Sequence, residues 1–292
     1  GTSEVTTTLS VSDSVIQDNN NSGIYTNSYS SSYTYDIAVN NSIIQNNQNY
    51  GIQAFYADIN VSNSRFEATT GMGIYIYPGF SVSLSGNQFL NNGSYAAYVN
   101  LDSGSTYALA DPNSGSGNAK NGIALSGTLA QNTQLAYQPN LPYIIASADL
   151  TISSGATLTI PAGQVFKADS TGSILTVNGT LLAQGTAEAP VVFTSIKDDS
   201  VGGDSNNDGD ATNPAPGDWG YIRINSGVIS TLSHVEIHYA GYSSFGAVYV
   251  SGSGQLSLTN SSISHSYSYG IYLVGTSEVT TTLSVSDSVI QD

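Results

Sequence analysis

The sequence predicts an all-β protein, a right-handed parallel β-helix (a solenoid) of about a dozen coils, from its length and ~24 residues per turn. Three observations predict this fold. The segment 1–18 recurs unchanged as the segment 275–292, a shorter phrase recurs at the interval of one coil, and short apolar strands alternate with period two. No stretch has the pattern of a helix of three turns.

The two ends carry the same eighteen letters. Residues 1–18 and residues 275–292 both read GTSEVTTTLSVSDSVIQD, an offset of 275 − 1 = 274. Either the native protein repeats with this period, or one end was duplicated to complete a permuted unit. We favour the first, because neither end carries the polar cap that an isolated solenoid needs. Residues 1–292 are thus expected to form a single continuous β-helix, in which residues 1–274 are one tandem unit and residues 275–292 begin the next.

A shorter phrase marks each coil: Asn or Asp, then Ser, any residue and Ile or Phe, with Gly-Ile nine residues after the Ser. Clear copies contain Ser14, Ser42, Ser64 and Ser261. The Ser-to-Ser steps are 42 − 14 = 28, 64 − 42 = 22 and, into the repeated end, 288 − 261 = 27. This spacing fits one turn of a β-helix. Residues 101–140 lack the phrase and are expected to be irregular and to bulge.

The strands and corners of each coil follow from residue type. Residues 74–76 (IYI) and 248–250 (VYV) alternate, which predicts that the apolar members point into the coil. The Gly before each Ile predicts a corner where the backbone bends sharply. Asn runs at residues 19–21 and 46–47 predict turns that visit the left-handed region, and amide ladders between stacked coils.

Residues 141–197 carry a second style of coil, in which short strands alternate with Gly- and Pro-bearing corners. Residues 155–163 (GATLTIPAG), 178–181 (NGTL) and 185–195 (GTAEAPVVFTS) resemble the right-handed parallel β-helix repeat proteins of bacterial and archaeal cell surfaces, relatives in fold of the pectate lyases. The resemblance covers residues 141–224 and implies a β-helix in an extracellular, cell-surface setting. It does not choose among lyases, hydrolases, adhesins and inert stalks, all of which this fold hosts.

Composition narrows the partners. A formal net charge of −16 argues against nucleic acid and anionic membranes and is compatible with divalent cations. The chain has no cysteine, which removes disulfides and thiolate metal sites. No apolar run approaches the ~18 residues of a membrane span, so none is expected in this segment.

The densest polar stretch is the acidic loop, residues 198–218, which holds six of the 21 acidic residues. Asp204, Asn206 and Asp208 have the alternate spacing of a calcium loop, and Gly209 lies where a tight turn is needed. The bidentate Glu of an EF-hand is missing, so the prediction is a simpler structural calcium site that orders the loop. The candidate ligands are Asp198, Asp199, Asp204, Asn206, Asp208, Asp210 and Asp218. The alternative is a solvated acidic loop.

Catalytic arrangements are sparse. Pectate-lyase chemistry needs calcium carboxylates beside a basic residue, and Arg223 lies just beyond the loop, although a surface Arg paired with an acid is the simpler interpretation. Polygalacturonase-type hydrolysis needs paired carboxylates, and no such pair is predicted outside the loop. His234, Glu236 and His238 share one face of a strand, which ordinary surface residues also do. The chain is expected not to be an enzyme, with a polysaccharide lyase as a remote alternative.

Tyrosines form the remaining pattern. Aligning the coils on Gly-Ile places Tyr25, Tyr75, Tyr98, Tyr249 and Tyr272 in one outward column, with Gln53 at one position. Coils lie ~4.8 Å apart, so these rings can stack. An exposed aromatic stripe suits glycan binding or lateral contacts between fibres, whereas the alternative is that Tyr is simply a strand residue that tolerates water.

These patterns predict a structural extracellular protein, whose tandem units joined end to end form a cell-surface filament or stalk. Stacked at ~4.8 Å per coil, a unit of 274 residues would advance on the order of 50 Å. An adhesin that binds glycans through the tyrosine stripe is the alternative. The expected partners are adjacent copies of the same chain, and calcium is the expected structural cofactor.

Overall fold

The computed structural model describes residues 5–27, 33–108 and 112–291. The repeated ends include residues 1–4 and 292, which lie outside the described residues. The chain forms two compact units. Unit 1 comprises Gly1–Leu125, Gln138–Leu141 and Ser205–Asn207, and unit 2 comprises Ser126–Tyr137, Pro142–Asp204 and Asp208–Asp292. The expectation of a single continuous solenoid over residues 1–292 stays a prediction.

Unit 1 is a stack of parallel strands in three columns. The strands as far as the boundary are β1 (Val5–Ser12), β2 (Val15–Gln17), β3 (Ile24–Tyr25), β4 (Tyr33–Asn40), β5 (Ile43–Gln45), β6 (Ile52–Ala54), β7 (Ala57–Ser62), β8 (Arg65–Glu67), β9 (Ile74–Ser85), β10 (Gln88–Leu90), β11 (Tyr95–Ala108), β12 (Ser114–Ser116) and β13 (Lys120–Leu129). The first column contains β1, β4, β7, β9 and β11, and the second contains β2, β5, β8, β10 and β12. The third contains β3 and β6 with the first halves of β9 and β11.

Unit 2 repeats this arrangement. Its further strands are β14 (Thr133–Gln134), β15 (Tyr143–Ile152), β16 (Thr157–Ile160), β17 (Val165–Ala168), β18 (Leu175–Val177), β19 (Thr180–Gln184), β20 (Val191–Ser195), β21 (Ile222–Ile224), β22 (Ile229–Ser233), β23 (Val235–His238), β24 (Val248–Ser251), β25 (Gln255–Thr259), β26 (Ser262–Ser264), β27 (Ile271–Val274), β28 (Thr282–Ser286) and β29 (Val289–Gln291). Every third strand pairs in parallel, for example β20 with β23 and β23 with β26. Each coil therefore contributes three strands.

The predicted coil length is confirmed by the strand registers. Val15 pairs with Ile43, Ile43 with Arg65, and Ser262 with Val289. These steps are 43 − 15 = 28, 65 − 43 = 22 and 289 − 262 = 27, the same as those of the phrase. The irregular stretch is also confirmed in part, since the pairing of β11 with β9 shifts register between Val99 and Thr106. The all-β parallel solenoid is the predicted fold, and no helix occurs in the part of the chain that the structure describes.

The fold has about ten turns, close to the predicted dozen. One cause of the difference is that the acidic loop lengthens a single coil. Leu175 pairs with Ile222, a step of 222 − 175 = 47. The flanking steps, from Leu150 to Leu175 and from Ile222 to Val248, are only 175 − 150 = 25 and 248 − 222 = 26. Dividing the chain length by one coil length counts that loop as a further turn.

Inward apolar residues form the core, as the alternation predicts. Ile74, Ile76, Val248 and Val250 are all 0% exposed. In unit 2 the ring of Phe166 stacks between two other buried aromatic rings at 5.3 and 5.2 Å. Identical or similar side chains therefore stack from coil to coil, and this stacking packs the interior of the solenoid closely.

The corner glycines allow neighbouring coils to approach closely. Gly23, Gly51 and Gly73 do not have positive φ, so a left-handed bend is not their reason. A Cβ on Gly51 would lie 2.4 Å from the carbonyl oxygen of Gly73, and one on Gly73 would lie 2.6 Å from that of Ala96. Any side chain here would push the stacked coils apart.

The prediction for the asparagine turns is confirmed in part. Asn46 has a φ of 56°, in the left-handed region that Asn tolerates, and Asn41, Asn63 and Asn260 lie there too, whereas at the run 19–21 the left-handed residue is the preceding Asp18. Amide ladders connect successive coils: Asn19 Nδ2 donates to Oδ1 of its counterpart in the next coil at 2.8 Å. Buried asparagines such as Asn92 repeat this bond deeper in unit 1.

Among the described residues, no helix is long and apolar enough to cross a membrane.

Candidate functional site

The acidic loop leaves the solenoid after β20 and is anchored at once by Asp198. This residue is only 4% exposed, and its Oδ2 accepts a hydrogen bond from the Thr194 hydroxyl at 2.6 Å. Its Oδ1 accepts bonds from the backbone N–H and hydroxyl of Ser200. Asp198 therefore fixes the start of the loop, and its carboxylate is already satisfied by protein donors.

Asp218 fixes the other end. Its Oδ1 accepts from the Lys197 ammonium at 2.7 Å, and its Oδ2 accepts from the Ser195 hydroxyl at 2.9 Å and the Ala215 N–H at 3.0 Å. The next residue, Trp219, is fully buried, and its indole N–H donates to a backbone carbonyl at 2.8 Å. The loop is thus closed at its base by side chains from both of its ends.

Lys167 lies beneath the loop, and sequence reasoning missed it. It is 0% exposed, and its ammonium donates to the backbone carbonyls of Asp198, at 2.8 Å, and Gly203. Burial lowers the pKa of Lys167 to about 8, while the carboxylates of Asp198, Asp199 and Asp204 oppose this shift. The loop therefore folds over an internal cation, which offsets part of its own negative charge.

Three of the seven predicted metal ligands converge. Asp199, Asp204 and Asp208 each offer a carboxylate oxygen, and these three oxygens lie within 4.8 Å of one another. Both oxygens of Asp204 also accept backbone bonds, from the N–H of Asp208 at 3.2 Å and of Gly209 at 2.9 Å, which shape the turn. Clustered hard oxygen donors are the kind of ligand that calcium takes.

Three further predicted ligands, Asp198, Asp210 and Asp218, are not among the converging carboxylates. Asp198 and Asp218 hold the base of the loop, as described above. Asp210 is exposed and is not among the three converging carboxylates. Asn206 belongs to the short stretch Ser205–Asn207 of unit 1, and its role as a ligand stays a prediction. The loop that the spacing singled out therefore holds the three converging carboxylates, and the full ligand set stays a prediction.

The electrostatics of the cluster fit a cation. Burial raises the pKa of Asp199, the neighbouring carboxylate of Asp204 raises it further, and Lys167 lowers it. The Oδ1 atom of Asp199 is buried and has no hydrogen-bond partner within the described part of the chain. A calcium ion here would be held by Asp199, Asp204 and Asp208, and it would remove the repulsion among them.

Arg223, the candidate lyase base, is engaged elsewhere. Its Nε donates to Asn225 Oδ1 at 3.1 Å, and its guanidinium lies over the ring of Tyr249 at 5.4 Å. It stands in an outward row between Thr176 and Tyr249. The partner is an amide and an aromatic face, not the acid that the simpler interpretation predicted.

The histidine group forms a polar surface feature. His238 Nε2 lies 3.3 Å from Glu236 Oε2, and its Nδ1 lies 2.8 Å from the Ser264 hydroxyl. His234 has a φ of 51° at the turn before β23. Among the described residues, these side chains are not part of a group able to hold a metal ion.

The tyrosine stripe of unit 1 exists as an outward row. Tyr25, Gln53, Tyr75 and Tyr98 are in register across successive strands, as predicted. Tyr75 and Tyr98 are 5.5 Å apart between ring centroids. Phe55 bridges the gap at Gln53, because its ring meets the edges of both Tyr25 and Tyr75 at 6.1 Å. The row is therefore continuous.

Tyr75 is the centre of this row. Burial, and after it the neighbouring hydroxyls of Tyr98, Tyr50 and Tyr77, raise the pKa of Tyr75 to about 12. Tyr50 and Tyr77 stack on it at 5.4 and 6.2 Å. Its hydroxyl stays protonated throughout the physiological range, so the row presents neutral rings and hydroxyl groups.

Unit 2 has an aromatic row of its own. Tyr249 and Tyr272 are paired across β24 and β27 and stack at 5.5 Å. Phe245 and Tyr269 flank them at 5.2 and 5.4 Å. The guanidinium of Arg223 completes the row on the face of Tyr249. The tyrosines of the predicted column therefore form one outward row in unit 1 and one in unit 2.

Sequence reasoning missed the flanking rings, although a signal was present. Tyr50, Tyr95, Phe245 and Tyr269 each directly precede the small corner residue, Gly or Ala, that opens the next strand. The side chain at that position turns back over the outward ring of the strand, as Tyr95 does over Tyr98 at 5.8 Å. An aromatic residue before a corner glycine therefore widens the row to two rings.

The three-strand coils, the stacked core and the asparagine ladders define a parallel β-helix protein of the right-handed type. Residues 3–111 match the right handed beta helix region family, and residues 127–241 match the pectate-lyase like beta helix domain family. Both matches agree with the right-handed parallel β-helix seen in the structure, and the pectate-lyase-like β-helix family includes both enzymes and non-enzymes. A search of the curated proteins and a search of the solved structures each found no significant match.

Proposed function

We propose that this chain is a structural repeat module of an extracellular filament or stalk and not an enzyme. The observation that carries the proposal is the identity of residues 1–18 with residues 275–292, because β-helical units that begin with the same coil present the same stacking surface to their neighbours. The extracellular setting rests on the resemblance to cell-surface β-helix proteins.

The state of the candidate basic residues supports a non-catalytic role. Lys167 is buried beneath the loop and donates to backbone carbonyls. Arg223 is held by Asn225 and by the face of Tyr249. A lyase base must reach a proton on the sugar. To do so, Lys167 and Arg223 would each have to break the contacts that hold them, which costs free energy.

For the acidic loop we propose a structural calcium ion held by Asp199, Asp204 and Asp208. The convergence of their oxygens within 4.8 Å and the unpaired buried Oδ1 of Asp199 support it. Its role would be to fix the loop on the solenoid together with Lys167.

Electron microscopy of the native material, averaged along its axis, tests the structural proposal. A thin filament with an axial repeat on the order of 50 Å, from about ten coils at ~4.8 Å, is the expected result. Incubation of the chain with polygalacturonate and calcium, followed by ultraviolet absorbance of unsaturated products, tests the enzymatic alternative. Turnover lost in Arg223→Ala would overturn the proposal.

Glycan binding is the second candidate, and the two continuous aromatic rows favour it. Exposed, stacked tyrosines offer flat apolar faces with hydroxyl groups, which suit the faces of sugar rings. Replacing both Tyr75 and Tyr249 by Ser should then abolish retention on immobilised glycans. Tyr242→Ser is the matched control, since Tyr242 is 49% exposed and lies in neither row. Equal retention of both variants would remove this candidate.

A further inference from the structure

A pair of stacked tyrosines connects two successive coils of unit 1. The ring of Tyr50 lies on that of Tyr75, with the centroids 5.4 Å apart and the planes 20° apart, which is an offset stack. Tyr95, at the same position of its own coil, lies instead over Tyr98 of that coil. The coil of Tyr50 has Gln53 at the outward place, paired with Tyr75, so the Tyr50 ring reaches the following coil.

The Tyr50 ring is seated against the backbone of the following coil at Gly71. A Cβ on Gly71 would lie 3.0 Å from two carbons of this ring and 2.6 Å from the Asn49 carbonyl oxygen. Gly71 does not have a positive φ, so the close approach, and not a left-handed bend, explains the missing side chain. Tyr50 is therefore fixed by packing at the place where it meets Tyr75.

The two phenols are accessible at the surface of the solenoid. Tyr50 and Tyr75 are both half-buried, and Tyr77, which stacks on Tyr75 at 6.2 Å with the planes 2° apart, is 45% exposed. A one-electron oxidant in solution therefore meets this group of rings directly, and the rings that it meets are in contact with one another.

We propose that Tyr50 and Tyr75 form an oxidative coupling site, at which hydrogen peroxide and a haem peroxidase join the two rings by a carbon–carbon bond. The chain has 20 tyrosines and no cysteine, so coupled phenols can supply the covalent link between coils that disulfides supply elsewhere. The oxidising setting rests on the proposed extracellular role, whereas the contact between the two rings does not depend on it.

The reaction removes two hydrogen atoms from the chain. Each phenol gives one hydrogen atom, as an electron and a proton, to the peroxidase and becomes a phenoxyl radical. The two radicals pair to form one bond between ring carbons next to the hydroxyl groups. The ring hydrogens at the new bond then move to the oxygens, which restores both phenols. The oxygen–oxygen bond of the peroxide breaks and takes up the two hydrogen atoms, giving two molecules of water.

Tyr98 is the competing partner of Tyr75, and the backbone disfavours it. Its ring lies 5.5 Å from that of Tyr75 and is tilted by 36°, so these two rings are farther from parallel than those of Tyr50 and Tyr75. Tyr98 also lies on β11, whose pairing with β9 holds it in register with Tyr75. Tyr50 precedes β6 and lies outside the strands, so its ring can approach Tyr75 without disturbing a strand pairing.

Peroxidase treatment of the dilute full chain tests the site. The monomer should lose two hydrogen atoms, as measured by intact-mass spectrometry. Cleavage after Glu67 by a glutamate-specific protease separates Tyr50 from Tyr75 in the untreated chain, so the two fragments stay joined only after coupling, and tandem mass spectrometry identifies the coupled residues. Tyr50→Phe keeps the ring and removes the phenol, so it should abolish the joined fragment. The matched control Tyr242→Phe, at a 49% exposed ring outside both rows, should form as much of it as the unchanged chain.

Urea unfolding measures the link independently of mass. The new bond would close a loop of 75 − 50 = 25 residues in the unfolded chain and so lower the conformational entropy of that state. The coupled monomer should therefore have a higher urea midpoint than the untreated chain. Tyr50→Phe should unfold at the same midpoint before and after treatment.

Three results would overturn the coupling site. These are a joined fragment that Tyr50→Phe forms equally well, coupling of Tyr75 to Tyr98 in place of Tyr50, or a monomer that loses no hydrogen under conditions that couple free tyrosine. None of them would affect the structural proposal, which electron microscopy of the native material tests separately. Conversely, discrete short particles in the micrographs would refute the filament and leave the coupling result unchanged.

Discussion

The asparagine ladder of unit 1 contains one defect, and repairing it is the sharpest test of what stabilises this solenoid. Asn19 donates to Asn47, and Asn92 donates to Asn118, but Thr69 occupies the position between them. Thr69 donates its hydroxyl to Asn92 Oδ1 at 2.9 Å and offers no amide oxygen to the coil before it. The Nδ2 of Asn47, which is fully buried, has no hydrogen-bond partner within the described part of the chain.

Thr69→Asn should complete the ladder. Its Oδ1 would accept from Asn47 Nδ2, and its own Nδ2 would replace the hydroxyl as donor to Asn92 Oδ1. An unsatisfied buried donor costs about 1–3 kcal/mol, so the variant should be more stable by about 1–2 kcal/mol after the loss of side-chain entropy. Asn118→Ala should have the opposite effect. It removes the acceptor of the Asn92 N–H and one of the two acceptors of Asn92 Nδ2, which keeps its bond to the Phe66 carbonyl, and it removes the side-chain donor to the Phe89 carbonyl, at a cost of about 3 kcal/mol.

Native-state hydrogen exchange measures this locally, at the coil concerned. The N–H of Thr70 donates to the Asn47 carbonyl at 3.1 Å, so its protection reports on the ladder position itself. Urea unfolding followed by far-ultraviolet circular dichroism gives the global value. Thr69→Val is the control, and it should lose stability because it removes the hydroxyl and adds no donor. If Thr69→Asn is no more stable than Thr69→Val, the ladder is not a source of stability.

Three further expectations concern the loop and the corners. The folded-state pKa of Lys167 is lowered to about 8 from 10.5, so the unfolded chain binds the extra proton between these values and stability should rise with pH there. Relative to Lys167→Met, the unchanged chain should gain about 2 kcal/mol in the free energy of unfolding, measured with urea, between pH 7.5 and pH 9.5. If the free energies of unfolding of both chains change with pH in the same way, Lys167 is not a buried ammonium. Calcium should raise the unfolding midpoint of the chain and of Asp210→Asn, but not that of Asp204→Asn, as followed by Trp219 fluorescence; equal responses would place the ion elsewhere. Gly51→Ala should cost about 1–3 kcal/mol through its clash with the next coil, whereas Gly275→Ala, whose Cβ would meet nothing within 4 Å, should be neutral in the same urea assay.

The structural role and the two aromatic rows are compatible with each other. A stalk that exposes a row of rings such as that around Tyr75 has a ready surface for glycans or for lateral contact with a neighbouring fibre. Each row also has a cation over one of its rings, since the Arg223 guanidinium lies over Tyr249 in unit 2 and the Lys120 ammonium lies over Tyr95 in unit 1.

Much of the fold could be predicted from sequence because a solenoid is governed by short-range periodicity. The phrase around Ser14, Ser42 and Ser64 fixed the coil registers, and these registers match the strand pairings residue by residue. Strand alternation predicted the buried faces, and Asn at the turns predicted the ladders. The registers, the buried faces and the ladders depend only on the chemistry of a residue and on its position within one coil, and both can be read from the sequence.

The glycine corners show where that reasoning was incomplete. Their position was correct, but the reason lies in the next coil, whose carbonyl of Gly73 approaches Gly51 too closely for any side chain. A contact between residues one whole coil apart cannot be read from the local conformation of either.

The candidate site depended most on tertiary structure. By itself the sequence determined that residues 198–218 form an acidic, non-periodic loop and that tyrosines recur on outward positions. Only the folded chain decided which carboxylates converge, that Asp198 and Asp218 serve as anchors, and that Lys167, more than a coil before Asp198 in the chain, lies beneath the loop as its counter-charge. The physical reason is that a coil repeats its geometry and so can be extrapolated from its neighbours, whereas the path of an inserted loop is set by a few long-range hydrogen bonds and charges that have no period.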